Sequence, residues 1–197
     1  MKLRDIKLVS DDGVLGGTSK IWKLSILLTF IGLVMYVIGF STDWWCQLDN
    51  EDYAAFNNSK INAHFGLWRK CITITINGSE KPIVDGCEDM DNDDSYKPAA
   101  KTLCSMGLIL GIFGLPAAIF AGCSQSPRLM TFGGVLTVSG AALAATGCIV
   151  CIGKAKDEDD RLEAEYSSIL AIIGSALLVV GGILQLLSIK SGYHSLA

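Results

Sequence analysis

The chain has 197 residues, of which half are hydrophobic and only 18% are charged, with a formal net charge of −4. A soluble domain usually carries about 25% charged residues, and here the shortfall is confined to four long uncharged runs. Too little chain remains outside these runs to build a soluble core. The composition therefore excludes an ordinary soluble protein and indicates an integral membrane protein.

Each uncharged run is long enough to cross a bilayer, because a helix needs about 20 apolar residues to span about 30 Å of hydrocarbon. The first is predicted to be a span and not a cleaved signal peptide, since its apolar stretch exceeds the usual signal core of about 7–15 residues. No charged residue or histidine lies deep in any run, which argues against a pump or a charged pore within the bundle. The uncharged runs are Leu24–Thr42, Thr102–Pro127, Leu129–Gly153 and Tyr166–Ile189.

The order of the runs predicts an all-α transmembrane four-helix bundle. Basic residues near span ends favour the cytoplasm, and the segment before the first span is basic, so we expect both termini to be cytoplasmic in a multi-pass plasma-membrane protein. The predicted parts are a cytoplasmic tail (1–20), a four-span domain (21–189) with extracellular loops at 42–101 and 153–167, and a second cytoplasmic tail (190–197).

Short connections and small residues predict how the spans pack. The brief segment 124–128 makes the second and third spans antiparallel neighbours. Gly107 and Gly111 form a GxxxG pair in the second span, and small residues let helices approach closely in lipid. We expect this pair to pack inside the bundle and not to form a dimer seam.

The first extracellular loop carries a hairpin pattern. In the stretch 69–76, β-branched Ile and Thr alternate from Ile72 onward, which is the period of a strand, and Asn77-Gly78 is a strong turn signal. Cys71 and Cys87 are equidistant from Ser79, so a hairpin that turns there places them opposite each other. We expect a cross-strand disulfide, because the loop faces the oxidising side.

Two glycosylation sequons fall in the same loop and nowhere else, at Asn57 and Asn77. Since such sequons are modified only on the extracellular side, their position agrees with the predicted topology.

The loop also resembles a known family. Trp45, then Gly66-Leu67-Trp68, then Cys71 and Cys87 are similar to the W…GLW…C…C signature of the claudin superfamily, after the first of four spans. The resemblance implies a small extracellular antiparallel β-sheet above the bundle. It also implies that Trp45 and the 66–68 segment anchor that sheet against the helices.

Three branches of the superfamily fit the sequence. Junctional claudins share the overall signature. Residues 64–71 resemble the first loop of calcium-channel gamma subunits, whose second loops can also be acidic, and the second loop here is dominated by charge between Lys154 and Glu165. It lacks the aromatic turn of head-to-head claudin contacts. Tetraspans of the peripheral myelin protein type have the same architecture.

The remaining cysteines have several readings. Cys46 can pair with Cys104, pair with a cysteine at the outer end of the third span, or stay unpaired. Cys148 and Cys151 form a CxxC inside a span, where ordinary packing is favoured over a redox or zinc role. Cys123 near the cytoplasmic end of the second span is a candidate for palmitoylation or an ordinary small residue.

No catalytic, cofactor or metal site is predicted. The acidic run 88–94 fails as an EF-hand, because Asp94 stands where the loop needs Gly and Ala100 where it needs Glu. His64 and His194 fall on opposite sides of the membrane, so no histidine triad or His-based metal site can be assembled. Nothing resembles a nucleotide-binding or nucleic-acid-binding motif.

We therefore interpret the chain as a non-enzymatic, claudin-like membrane protein that acts through its extracellular sheet at cell–cell junctions or in a paracellular barrier. Expected partners are copies of itself, other claudin-like proteins and the lipid bilayer. The alternative is an auxiliary, gamma-type subunit that binds a channel pore subunit or a receptor.

Overall fold

A computed structural model describes residues 20–50, 59–76, 84–89, 96–124, 126–158 and 162–193. Four of its helices are long and apolar enough to cross a membrane. They are α1 (Lys20–Ser41), α2 (Tyr96–Ser124), α3 (Pro127–Glu158) and α4 (Tyr166–Tyr193). The predicted four-helix transmembrane bundle is confirmed.

All four helices extend beyond the uncharged runs that predicted them, and α2 and α3 extend furthest. α2 begins at Tyr96 instead of Thr102, and α3 continues to Glu158 instead of ending near Ile152. A charged residue ends the stretch that lipid can cover, but it does not end a helix. Pro98 lies in the first turn of α2, where no intrahelical bond is lost, and Lys154 pairs with Asp157 at 3.0 Å in the last turns of α3.

The helices pack in a closed bundle. α2 lies along α3, α1 along α4, and α3 along α4. The prediction that the second and third spans are neighbours is therefore confirmed. A Cβ atom added to Gly107 would lie 2.7 Å from the Gly140 carbonyl oxygen of α3, so the GxxxG pair packs inside the bundle, as expected.

The α1–α4 contact also contains a buried polar pair. The Gln185 side-chain amide donates to the Thr29 hydroxyl at 3.0 Å, and Thr29 donates onward to the Ser25 carbonyl at 2.8 Å. Hydrogen bonds of this kind hold transmembrane helices together where the hydrophobic effect between them is absent.

One end of the bundle carries a five-stranded antiparallel sheet of order β4-β3-β2-β1-β5. Four strands come from the predicted first loop and the fifth from the second loop. They are β1 (Cys46–Asn50), β2 (Ser59–Phe65), β3 (Arg69–Ile76), β4 (Val84–Asp89) and β5 (Leu162–Ala164). The two loops, which were predicted as separate segments, therefore belong to one sheet.

The register of the β3–β4 hairpin follows the predicted symmetry. Cys71 lies opposite Cys87, and Ile74 lies opposite Val84. The sequons at Asn57 and Asn77 lie outside the described residues. The acidic run is described only at Glu88 and Asp89, and its remaining residues, 90–94, lie outside the described part.

A single glycine substitution tests the close approach of α1 and α4. A Cβ atom at Gly174 would lie 2.7 Å from the Tyr36 backbone nitrogen and 2.8 Å from the Gly32 carbonyl oxygen. We expect Gly174→Ala to lower the free energy of unfolding by about 1–3 kcal/mol, because two backbones must separate. Equilibrium unfolding in mixed micelles measures this.

The matched control is Gly153→Ala on α3, where an added Cβ meets nothing within 4 Å. Its stability should stay at or slightly above that of the parent protein. Equal stability of the two variants would show that the α1–α4 contact is looser than described.

Candidate functional site

Trp45 lies between the sheet and the helices. Its side chain is 1% exposed, and its indole N–H donates to the Gly39 carbonyl of α1 at 2.8 Å. Its backbone N–H donates to the Phe65 carbonyl at 2.9 Å, and its own carbonyl accepts from the Glu165 N–H at 3.0 Å. One residue thus connects α1, the end of β2 and the segment before α4.

The Gly66-Leu67-Trp68 segment forms the turn between β2 and β3. Gly66 lies so close to the preceding loop that an added Cβ would be 2.5 Å from the Asp43 Cα, so a side chain there is excluded. Leu67 is 2% exposed and belongs to the same apolar cluster as Trp45 and Tyr36. This turn therefore adds a second buried contact between sheet and bundle.

Trp68 lies at the edge of the contact between the sheet and the bundle. Its indole N–H donates to the Phe40 carbonyl at 3.2 Å, and its ring packs edge-on against Phe40 with centroids 5.3 Å apart. The Lys101 ammonium lies 5.9 Å from the ring centroid, within cation–π range. Trp68 remains 38% exposed, so it borders this contact and does not fill it.

The sheet end of the bundle forms one apolar cluster. It contains side chains of all four helices together with Trp45 and Leu67, and the Tyr36 hydroxyl crosses it to donate to the Cys104 carbonyl at 3.0 Å. The helical members are Tyr36, Cys104, Ala141, Ala144, Cys148, Ala171 and Leu178. The sheet is consequently seated on the helices by side-chain packing as well as by hydrogen bonds.

The disulfide between Cys71 and Cys87 is present and ties β3 to β4. β4 is an edge strand of the sheet, and its Asp85, Glu88 and Asp89 are exposed. Beyond the disulfide, the Lys70 ammonium lies 3.5 Å from the Glu88 carboxylate, and the Thr73 hydroxyl donates to Asp85 at 3.5 Å. The sheet thus presents an acidic outer edge.

A stack of aromatic rings joins β2 to the start of α4. The Trp44 indole lies parallel to the His64 ring with centroids 4.1 Å apart. The Tyr166 ring also stacks on Trp44, with the centroids of these two rings 6.2 Å apart. The Ser167 N–H donates to the Trp44 carbonyl at 3.2 Å. No sequence pattern predicted this stack, although its aromatic residues are visible in the sequence.

Cys46 has no disulfide partner in the structure. It is buried in β1, and burial raises the pKa of its thiol, with a further rise from the nearby Glu165 carboxylate. Cys104, Cys148 and Cys151 are also unpaired. Of the three alternatives predicted for Cys46, the structure therefore shows the unpaired thiol.

The structure brings His64 close to a pair of sulfur atoms. A ring nitrogen of His64 and the sulfurs of Cys71 and Cys87 lie within 4.8 Å of one another. Both sulfurs are bonded to each other, so they do not offer thiolate ligands in this form. The hairpin register predicted where the cysteines meet, but only the β2–β3 pairing shows that His64 lies beside Cys71.

Four helices long and apolar enough to cross a membrane, together with a disulfide-bonded antiparallel sheet at one end of the bundle, define a tetraspan membrane protein with a small folded sheet domain. Residues 30–187 match the model of the PMP-22/EMP/MP20/Claudin tight junction family, and the chain belongs to that family. A search of curated proteins found no match.

Two adjacent tryptophans offer a matched test of the contact between the sheet and the bundle. We expect Trp45→Ala to cost about 3–5 kcal/mol, because it empties a buried site and removes the shorter of the two hydrogen bonds to the Gly39 carbonyl, which keeps the Thr42 hydroxyl at 3.3 Å. Trp44→Ala should cost about 1 kcal/mol, because Trp44 is 37% exposed and loses mainly its ring stacking. Unfolding of both variants in mixed micelles measures the difference, and equal losses would contradict the role given to Trp45.

Proposed function

We propose that this chain is a non-enzymatic component of cell–cell junctions or paracellular barriers and acts through its sheet. The observation that carries the proposal is the family match, whose description names the tight junction. The attachment of the sheet supports it. Two buried residues, Trp45 and Leu67, seat the strands on the bundle, so the acidic β4 edge is held at a fixed position for a partner.

The same proposal sets the topology. The sheet lies outside the cell, and both termini lie in the cytoplasm of the plasma-membrane protein. The Cys71–Cys87 disulfide supports this orientation, because disulfides persist in oxidising compartments. Under this topology Asn57 and Asn77 are available for glycosylation, and Trp45 with residues 66–68 anchors the sheet.

Glycosylation and tag accessibility test the topology together. We expect glycosidase treatment to increase the electrophoretic mobility of the parent protein, with no change for the Asn57→Gln/Asn77→Gln double variant. A tag at either terminus should be labelled only after the cells are permeabilised. Labelling of a terminal tag on intact cells would contradict the proposed orientation.

Self-recognition between cells tests the junctional function. A tagged form expressed in cells that lack junctions should accumulate at borders between two expressing cells and not at borders with non-expressing cells. Gly66→Ala serves as the disrupted control, because its Cβ would collide with Asp43 beneath the sheet. A uniform surface distribution of the parent protein would overturn the junctional proposal.

The β4 edge is where charge would act on ions in a paracellular barrier. Asp85 is exposed on this strand, and a fixed carboxylate attracts cations. We expect Asp85→Lys to lower the permeability of sodium relative to chloride across a cell layer by about two- to fivefold, as one surface charge near the ion path would do.

The matched control is Asp157→Lys, which reverses an exposed carboxylate that pairs with Lys154 in the last turns of α3 and does not belong to the β4 edge. Its effect on selectivity should be small. Unchanged selectivity in the Asp85 variant would show that β4 does not face an ion path.

A second candidate function has its own observation. Three residues separate the end of α3 at Glu158 from β5, and one residue separates β5 from α4. The second loop is therefore largely taken up by regular structure. That arrangement, without an aromatic turn, favours lateral binding beside a channel or receptor as an auxiliary subunit. Co-purification of a channel subunit in mild detergent, with no enrichment at cell borders, would select this function over the junctional one.

A further inference from the structure

One row of side chains crosses the whole sheet and ends at the disulfide. Cross-strand pairs place Glu163 opposite Gln47, Gln47 opposite His64, and His64 opposite Cys71, which is bonded to Cys87. Side chains at one register position across paired strands lie on the same face of a sheet. His64 is thus the immediate neighbour of the disulfide on that face.

The distances put the ring within reach of the sulfurs. A ring nitrogen of His64 and both sulfur atoms lie within 4.8 Å of one another. A small side-chain movement, or one bridging water, brings a donor on that nitrogen into contact with a sulfur. No described residue forms a hydrogen bond with the His64 ring, which is held instead by its parallel stack on Trp44.

The two sulfurs differ in access. Cys71 is 4% exposed, whereas Cys87 is exposed on the edge strand β4. A thiolate breaks a disulfide by attacking one sulfur, while the other departs. Access from solvent therefore selects Cys87 as the attacked residue and Cys71 as the leaving group, and Cys71 is the one paired with His64 across the strands.

We propose that the Cys71–Cys87 bond is a thiol–disulfide exchange site, at which a small thiolate such as that of reduced glutathione attacks Cys87 while His64 protonates the departing Cys71 sulfur. The attacking sulfur forms a new bond to the Cys87 sulfur as the Cys71–Cys87 bond breaks. The electron pair of that bond goes to the Cys71 sulfur, which takes a proton from the imidazolium. The products are a mixed disulfide at Cys87, a thiol at Cys71 and a neutral His64.

The consequence for the sheet is limited to its acidic edge. After exchange, β4 keeps its backbone pairing with β3 and the Lys70–Glu88 ion pair, but it loses its covalent tie. The site therefore offers redox control over the edge strand without requiring the sheet to unfold.

The proton donor makes the exchange rate depend on pH in a distinctive way. General acid catalysis requires the protonated form of the donor, so a rate divided by the thiolate concentration should fall as pH rises. Other charged or titratable groups lie near His64 on the same face or against its stack, and the test variants leave all of them in place. These groups are Glu163, Arg69, Asp85, Asp89 and Tyr166.

The experiment uses the full chain in detergent micelles with reduced glutathione. After quenching and alkylation, mass spectrometry of the peptides gives the exchange rate and the residue that carries glutathione. For the parent protein we expect glutathione on Cys87 and a thiolate-normalised rate that falls about tenfold from pH 5.5 to 8. His64→Phe keeps a ring on Trp44 but has no proton to give, so its rate at pH 6 should be about tenfold lower and independent of pH.

A neighbour in the row provides the matched control. Gln47→Leu alters the other side of His64 and should keep the parent rate and pH dependence. His64→Gln is the second variant should the phenylalanine change disturb folding, and it should also give a flat pH profile. The proposal is overturned by a parent rate that does not change with pH, by equal rates in parent and His64 variants, by glutathione on Cys71, or by no measurable exchange.

Discussion

The Trp45 indole donates a hydrogen bond to the Gly39 carbonyl at a site sealed from solvent, and the contacts between the sheet and the helices surround it. The carbonyl belongs to the last turns of α1, where the helix leaves backbone acceptors without intrahelical partners. Because the same residue bonds β2 and the segment before α4 through its backbone, displacing the indole would disturb three elements together. The buried indole and the packing of Leu67 beside it therefore connect the sheet to the helices.

The helix bundle is held together by different contacts. Lipid tails are as apolar as the helix surfaces, so helix association depends on close packing and on a few polar pairs. Gly32 and Gly174 meet across α1 and α4, and Gly107 and Gly140 meet across α2 and α3. Gln185 and Thr29 add a buried hydrogen bond near the other end of the α1–α4 contact. These contacts hold the four helices close together.

Much of this architecture could be predicted from local signals. The four uncharged runs gave the helices, and the Asn77-Gly78 turn with the equal spacing of Cys71 and Cys87 gave the hairpin and its disulfide. β5 was missed, because three residues in a charged connection have no strand period and pair only with a strand that another loop supplies. The helix ends were also missed, since the charges that end a membrane span are compatible with a continuing helix. The Trp44–His64 stack depends on the register between β2 and its neighbours, which no local pattern determines.

Hydrogen exchange of the protein in lipid nanodiscs tests the central claim most directly. If Trp45 fixes the sheet to the bundle, its indole N–H and the backbone N–H groups of Trp45, Gly66 and Glu165 exchange only when larger parts of the protein open. Their protection should match that of the amides in the middle of α4 and exceed that of the β4 edge strand. Exchange of these four groups as fast as that of the exposed β4 amides would contradict the account, because the sheet would then move independently of the helices.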